Sequence, residues 1–171
     1  MINQFNSMLV TMFGIGKIKN IPGTVGSFVT VLVLFIFFHI IKLQPNIILT
    51  LLIIIFLYSF YAIYTHTKNY ENKDPREVVI DEFIGQSISI YLYEIFLNNT
   101  NNLKEVIFFY LISFFLFRCF DIIKPFPVNF FDKNFKNSFG VIMDDVMAGI
   151  YVVITLIFFV IIKSIFVWIL Y

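Results

Sequence analysis

Charge is scarce in this chain, and seven charged side chains fall in short blocks whose spacing could do chemistry. Arg118, Asp121 and Lys124, in the stretch RCFDIIKPFP, follow one another at i, i+3 and i+6. On a helix, steps of three keep them on one side, spread over roughly 120°. They close an apolar run, Val106 to Ile123, whose charges all lie at this end. Two acidic pairs, Asp81-Glu82 and Asp144-Asp145, sit in equally apolar surroundings. Carboxylates that converge repel one another unless cations sit between them. Hard oxygen ligands without His or Cys suit Mg²⁺. Arg118 and Lys124 supply the positive charge that a phosphate needs. The set points to phosphoryl chemistry assisted by a divalent cation, and its place at the end of apolar segments points to a lipid headgroup.

The elements that must position these residues follow from composition. The 171 residues are 60% hydrophobic and only 13% charged, with a mean hydropathy of +0.90. A soluble domain is usually about 45–50% apolar and about 25% charged. The expected fold is therefore all-α, a single-domain polytopic membrane bundle over residues 1–171 with about five membrane-embedded helices. A net charge of +1 gives no basic field for nucleic acid, and no protein partner is inferable. The single Cys119 excludes an internal disulfide and reads as a small buried apolar residue. The N-terminal residues lack the pattern of a cleavable signal; Ile2, Phe5, Leu9 and Phe13 instead recur at the spacing of an interfacial amphipathic helix.

Along the chain, Phe13 to Ser27 reads as a glycine-rich loop. Gly23, Thr24 and Ser27 could offer N–H groups to a phosphate, or Thr24 or Ser27 could simply cap the next helix. Apolar runs follow at Phe28–Leu43 and Ile47–Tyr64. Asp74-Pro75-Arg76-Glu77 has the form of a capping box that starts a helix at Pro75 and runs it to about Leu97. Asp81 and Glu82 would then lie in its second turn. Glu94 belongs at the far interface, and His39 and His66 read as structural. Pro125 and Pro127 stop the helix after Lys124. Asn129 to Phe139 reads as a polar and aromatic loop. The last helix opens with GVIMDDVMAG, where Asp144 and Asp145 could be no more than carboxylates favoured by the helix dipole. Lysines and arginines concentrate on alternate loops, which places the charged blocks together on the cytoplasmic face.

Known phosphatase designs narrow the mechanism. There is no DxD nucleophile, Cys119 is not followed by Arg at the sixth position, and neither histidine has the setting of a nucleophile. A metal-activated water remains. The competing class is a non-enzymatic ion or proton conductor using carboxylates at the membrane face. A transporter would place its acids near the midplane and often shows an internal repeat, and none is visible here.

Four blocks carry a resemblance: PGTVGS (Pro22–Ser27), DPREVVIDEFIGQ (Asp74–Gln86), FRCFDIIKPFP (Phe117–Pro127) and GVIMDDVMAG (Gly140–Gly149). In order and spacing the chain resembles bacterial phosphatidylglycerophosphatase A over nearly its whole length. The resemblance implies Mg²⁺-dependent hydrolysis of phosphatidylglycerol phosphate to phosphatidylglycerol and phosphate, in the bacterial inner membrane. It implies Asp81, Glu82, Asp121, Asp144 and Asp145 as the acidic positions around the metal. Arg118 and Lys124 stand beside them, and the turn of Gly23, Thr24 and Ser27 would add N–H donors to the substrate if it faces the site.

Overall fold

The computed structural model describes residues 2–70, 75–98 and 102–170, and these form helices without a strand. The order is α1 (Ile2–Val10), a 3₁₀ turn (Ile15–Lys17), α2 (Pro22–Phe35) continued by a π turn (Ile36–Ile40), and α3 (Pro45–Thr67). Then come α4 (Ile80–Leu92) continued by a second π turn (Tyr93–Leu97), α5 (Leu103–Ile123), α6 (Val128–Asn134) and α7 (Ser138–Leu170). Among the described residues, four segments are long and apolar enough to cross a membrane: Pro22–Ile40, Pro45–Thr67, Leu103–Ile123 and Ser138–Ile162. Helix α4 with its π turn, which is not among these four, carries Asp81, Glu82 and Glu94 and packs between them. The chain is thus an all-helical membrane protein, as its apolar runs predict.

Helix α4 packs at the centre, against α7, α2, α5 and α3. Its closest approach is to α7, where Gly85 faces Gly149. A Cβ on Gly149 would lie 2.3 Å from the Gly85 carbonyl oxygen, and one on Gly85 would lie 2.4 Å from that of Asp145. Only glycine admits this approach, the device by which membrane helices gain contact where lipid offers no hydrophobic drive. Against α5, the Gln86 amide donates to Ser89 and Ser113 at 3.0 and 3.2 Å, a buried polar seam. At the opposite end of the bundle from Asp81, His39 meets Glu94 at 2.9 Å and Asn98 donates to Glu94 at 2.8 Å. This gives both His39 and Glu94 a structural role. Ile2 and Phe5 are exposed on α1, while Phe13, placed with them by its spacing, lies beyond the helix in a turn with φ 56°.

Several local expectations are corrected. Helix α4 begins at Ile80, not Pro75, and Asp74 lies outside the described residues. The Val79 N–H donates to the Val10 carbonyl of α1 at 3.0 Å. The Glu77 carboxylate accepts from Tyr70 at 2.6 Å and meets His66 at 2.9 Å. Tertiary bonds thus take the groups that a capping box would use. Pro22 to Ser27 is no loop but the first turns of α2, with Pro22 at the position where a missing N–H costs nothing. Neither Thr24 nor Ser27 is its cap, which is Ile21. Residues 128–134 are helical, because the aromatic side chains of Phe131, Phe135 and Phe139 pack on one another beside α7. Cys119 is exposed rather than buried, because α5 turns it away from the core. Helix α7 starts at Ser138, so Asp144 and Asp145 lie well past the positions that cap a helix.

Candidate active site

The starts of α2, α4 and α7 meet the end of α5 at one end of the bundle, around a cavity of about 440 Å³. Asp81, Glu82, Asp121, Asp144 and Asp145 all line it, as do Arg118, Lys124, Gly23 and Thr24. Ser27 stands one turn behind Gly23. Its hydroxyl donates to the Gly23 carbonyl at 2.9 Å and accepts from Arg118 Nη1 at 3.4 Å. Every residue predicted to act at a site, from Gly23, Thr24 and Ser27 to the five acids, Arg118 and Lys124, is therefore at this cavity or in contact with a residue that is.

The chain places them by local rules. Asp81 and Glu82 fall in the first turn of α4, and the close α4–α7 packing at Gly85 carries them to Asp145. Arg118 and Asp121 share a face of α5 and pair at 2.7 Å. Lys124 ends α5 in a left-handed conformation, φ 49°, with its N–H on the Phe120 carbonyl. Such a conformation costs roughly 1–2 kcal/mol without glycine. What holds it is the ammonium, 2.7 Å from Asp144 and 2.9 Å from Asp132 of α6. Burial opposes the charge on Lys124, but these two carboxylates outweigh it and hold the lysine above its ordinary pKa.

The five acids thus divide. Asp121 is held by Arg118 and Asp144 by Lys124. Asp81, Glu82 and Asp145 each offer an oxygen within 4.8 Å of the others, a group that can hold a metal ion. Two features fit a cation there. Glu82 Oε2 and Asp145 Oδ1 are buried without a hydrogen-bond partner, an arrangement that costs free energy unless something positive completes it. Arg118 Nη1 stands 3.9 Å from Glu82 Oε1. Arg118 also keeps a buried Nε with no partner.

The cavity leaves no room at Gly23. A Cβ there would fall 2.0 Å from Glu82 Oε1 and 3.3 Å from Arg118 Nη1. The Val25 N–H bonds the Ile21 carbonyl, so the two N–H groups before it, on Gly23 and Thr24, face the polar end of α2. Sequence reasoning missed three participants. Arg76 and Asn20 line the cavity, and Asp132 anchors Lys124. Asn20 and Arg76 come from connecting segments and Asp132 from the short helix α6, read from the sequence as a loop, so no periodicity marked a facing side chain. Arg76 alone had a signal, as a cation within the block that carries Asp81 and Glu82.

Residues 8–160 match the family model described as Phosphatidylglycerophosphatase A. A Haemophilus influenzae protein named phosphatidylglycerophosphatase A is 34% identical over 147 residues, 86% of this chain and 83% of the relative. The Escherichia coli protein of the same name is 28% identical, over 84% of this chain and 76% of the relative. A candidate phosphatidylinositol-3-phosphatase from Bacteroides thetaiotaomicron is 31% identical, over 84% of this chain and 86% of the relative. No solved structure matches.

Proposed function

This chain belongs to the phosphatidylglycerophosphatase A family, and from that membership we propose that it hydrolyses the phosphomonoester of phosphatidylglycerol phosphate. The products are phosphatidylglycerol and inorganic phosphate. The observation that carries the reading is one cavity uniting three carboxylates fit for a cation with an arginine and a lysine fit for a phosphate. Ion conduction, the rival reading, would need acids along a path, and these stand at one end of the bundle.

In this reading Asp81, Glu82 and Asp145 hold Mg²⁺, the cation that hard oxygen donors and a phosphate together favour. Asp121 and Asp144, the remaining acids of the predicted ligand set, orient Arg118 and Lys124 from within the same cavity. When bound, a divalent ion lowers the pKa of water and neutralises charge on phosphoryl oxygens.

The chain's own groups do the rest. Arg118 is fixed by Asp121 and Ser27, so its planar fork is preorganised to grip two phosphoryl oxygens. Lys124 adds a point charge, and the N–H groups at the start of α2 add donors in the direction the helix dipole favours. Water attacks phosphorus in line with the glycerol oxygen. A bond forms from water oxygen to phosphorus and the bond to the glycerol oxygen breaks. Water gives a proton to a carboxylate of the cavity, and the glycerol oxygen leaves with one. Direct attack is favoured because no cysteine or histidine is among the described residues lining the cavity. The site opens on the cytoplasmic face, as the distribution of Lys17, Lys19, Lys68 and Arg76 against Lys42 and Lys104 supports.

The test is phosphate release by purified protein from phosphatidylglycerol phosphate, with and without Mg²⁺. Phosphatidylinositol 3-phosphate is the comparison substrate, given the Bacteroides relative. Release that needs Mg²⁺ and prefers the glycerol headgroup supports the reading. Preference for the inositol lipid would replace the substrate, and no release from either would remove the activity.

A further inference from the structure

A second cavity lies alongside α4, of about 290 Å³, between α3, α4 and α7. Its walls are apolar: Leu52 and Phe56 from α3, Ile84 and Ile88 from α4, and Val146 from α7. Its lining neighbours that of the carboxylate cavity along α4 and α7. Ile84 is one helical turn from Asp81, and Val146 follows Asp145, so the two cavities share consecutive stretches of the same two helices. From Ile84 the groove follows α4 toward Leu92, about 12 Å away. That direction leads from the charged end of the bundle into its apolar length.

One wall residue does not belong to an apolar surface. Ser87 lines the groove, is 2% exposed, and its hydroxyl has no hydrogen-bond partner. Other hydroxyl residues in these helices discharge theirs on the carbonyl four residues back, as Ser27, Thr30, Ser59 and Thr67 do. A buried donor left unspent in hydrocarbon surroundings is costly, and an acceptor brought by a ligand would relieve it. Ser87 stands six residues beyond Asp81, about 9 Å along the helix, a distance that one molecule occupying both cavities could span.

We propose that this groove is an acyl subsite. It takes one acyl chain of the phospholipid whose phosphomonoester enters the carboxylate cavity, and the Ser87 hydroxyl donates to that chain's ester carbonyl. The assignment rests on the lipid phosphatase reading above. An acyl chain satisfies the apolar walls, its ester supplies the one acceptor that Ser87 lacks, and covalent connection to the headgroup explains why the groove adjoins the acids.

Full-length protein in detergent tests this with three forms of phosphatidylglycerol phosphate: long-chain diacyl, its dialkyl ether analogue, and dihexanoyl. Ile88→Trp, which fills the groove, should raise KM for the long-chain ester about tenfold and leave the dihexanoyl form unchanged. Ser87→Ala should raise KM about fivefold for the long-chain ester and not for the ether. Equal effects of Ile88→Trp on long and short chains, or of Ser87→Ala on ester and ether, would overturn the subsite. Wild-type protein inactive on all three would defeat the functional reading instead. Phosphatidylglycerol with a diazirine-bearing acyl chain then judges the groove. Labelling concentrated on Leu52, Phe56 and Ile84 and lost in Ile88→Trp supports the subsite. Labelling spread over every lipid-facing helix and unchanged in the variant, an annular lipid only, overturns it.

Discussion

Gly149 of α7 faces Gly85 of α4 so closely that a methyl group on Gly149 would sit 2.3 Å from the Gly85 carbonyl oxygen. This contact lies one turn from both Asp81 and Asp145, so the helix spacing that it permits also sets the separation of the acids. Gly149→Ala should push α7 from α4 at a cost of about 1–3 kcal/mol. It should reduce phosphate release far more than protein level in the membrane. Thermal unfolding and turnover measured on the same preparation check this; a variant as active as wild type would show that the contact does not govern the site.

Asp145→Asn and Glu82→Gln remove charge where an oxygen is buried and unpartnered. Each should lower turnover by orders of magnitude while the protein still inserts. Each should also abolish stabilisation by Mg²⁺, which at a hundredfold excess over Kd would be about 2.7 kcal/mol for wild type. A thermal shift that survives in both variants would place the ion elsewhere.

Arg118→Lys keeps the charge and loses the fork held by Asp121 and Ser27. Turnover should fall about a hundredfold, the scale of losing a preorganised donor to a transition-state oxygen. Steady-state kinetics decide it, and near-normal kcat would reduce Arg118 to a counter-charge for Asp121.

Glu77 makes a pH-dependent contribution to stability outside the membrane-spanning segments. Hydrogen bonding from Tyr70, with partial burial opposing and His66 assisting, holds its carboxyl below the ordinary glutamate value of 4.5. A depressed pKa stabilises the folded state above the unfolded value, and that stabilisation fades as pH falls through the folded one. Glu77→Gln should therefore be less stable than wild type at neutral pH, with the gap closing below about pH 4. Melting curves across that range test the sign; a constant gap would mean that the carboxylate's charge plays no part.

Direct attack by water inverts configuration at phosphorus, whereas a phospho-enzyme retains it through two displacements. A chiral thiophosphate substrate in labelled water should give inversion. Retention, or a phosphorylated aspartate trapped at Asp81, Asp121, Asp144 or Asp145, would overturn the proposed route.

Much of the site was legible because charge in an apolar run is conspicuous. The three-residue steps of Arg118, Asp121 and Lys124 gave their shared helix face, and the structure adds their destination. Which acid meets which cation was not legible. Asp144 pairs with Lys124 rather than with Arg118, and Lys124 reaches it from a left-handed end of α5, a combination that no spacing encodes. The start of α4 was misplaced because α1 supplies a carbonyl to Val79, a partner far away in the chain. Cys119 illustrates a limit of periodicity in membranes. Lipid-facing and core-facing positions of α5 are both apolar, so the pattern has no phase to read.

The two π turns lie at the end of α2 and α4 away from the carboxylates, joined there by His39 and Glu94. A π turn takes one residue more than the α turn it replaces. Each helix thus holds its surplus residue beyond the last contact with the cavity. Loss of a residue from Ile36–Ile40 or Tyr93–Leu97 would convert π to α locally and leave the register of Gly23, Asp81 and Glu82 untouched. A one-residue deletion within the π turns should therefore disturb the cavity less than one earlier in either helix, which would rotate the cavity residues by about 100° against the rest of the helix.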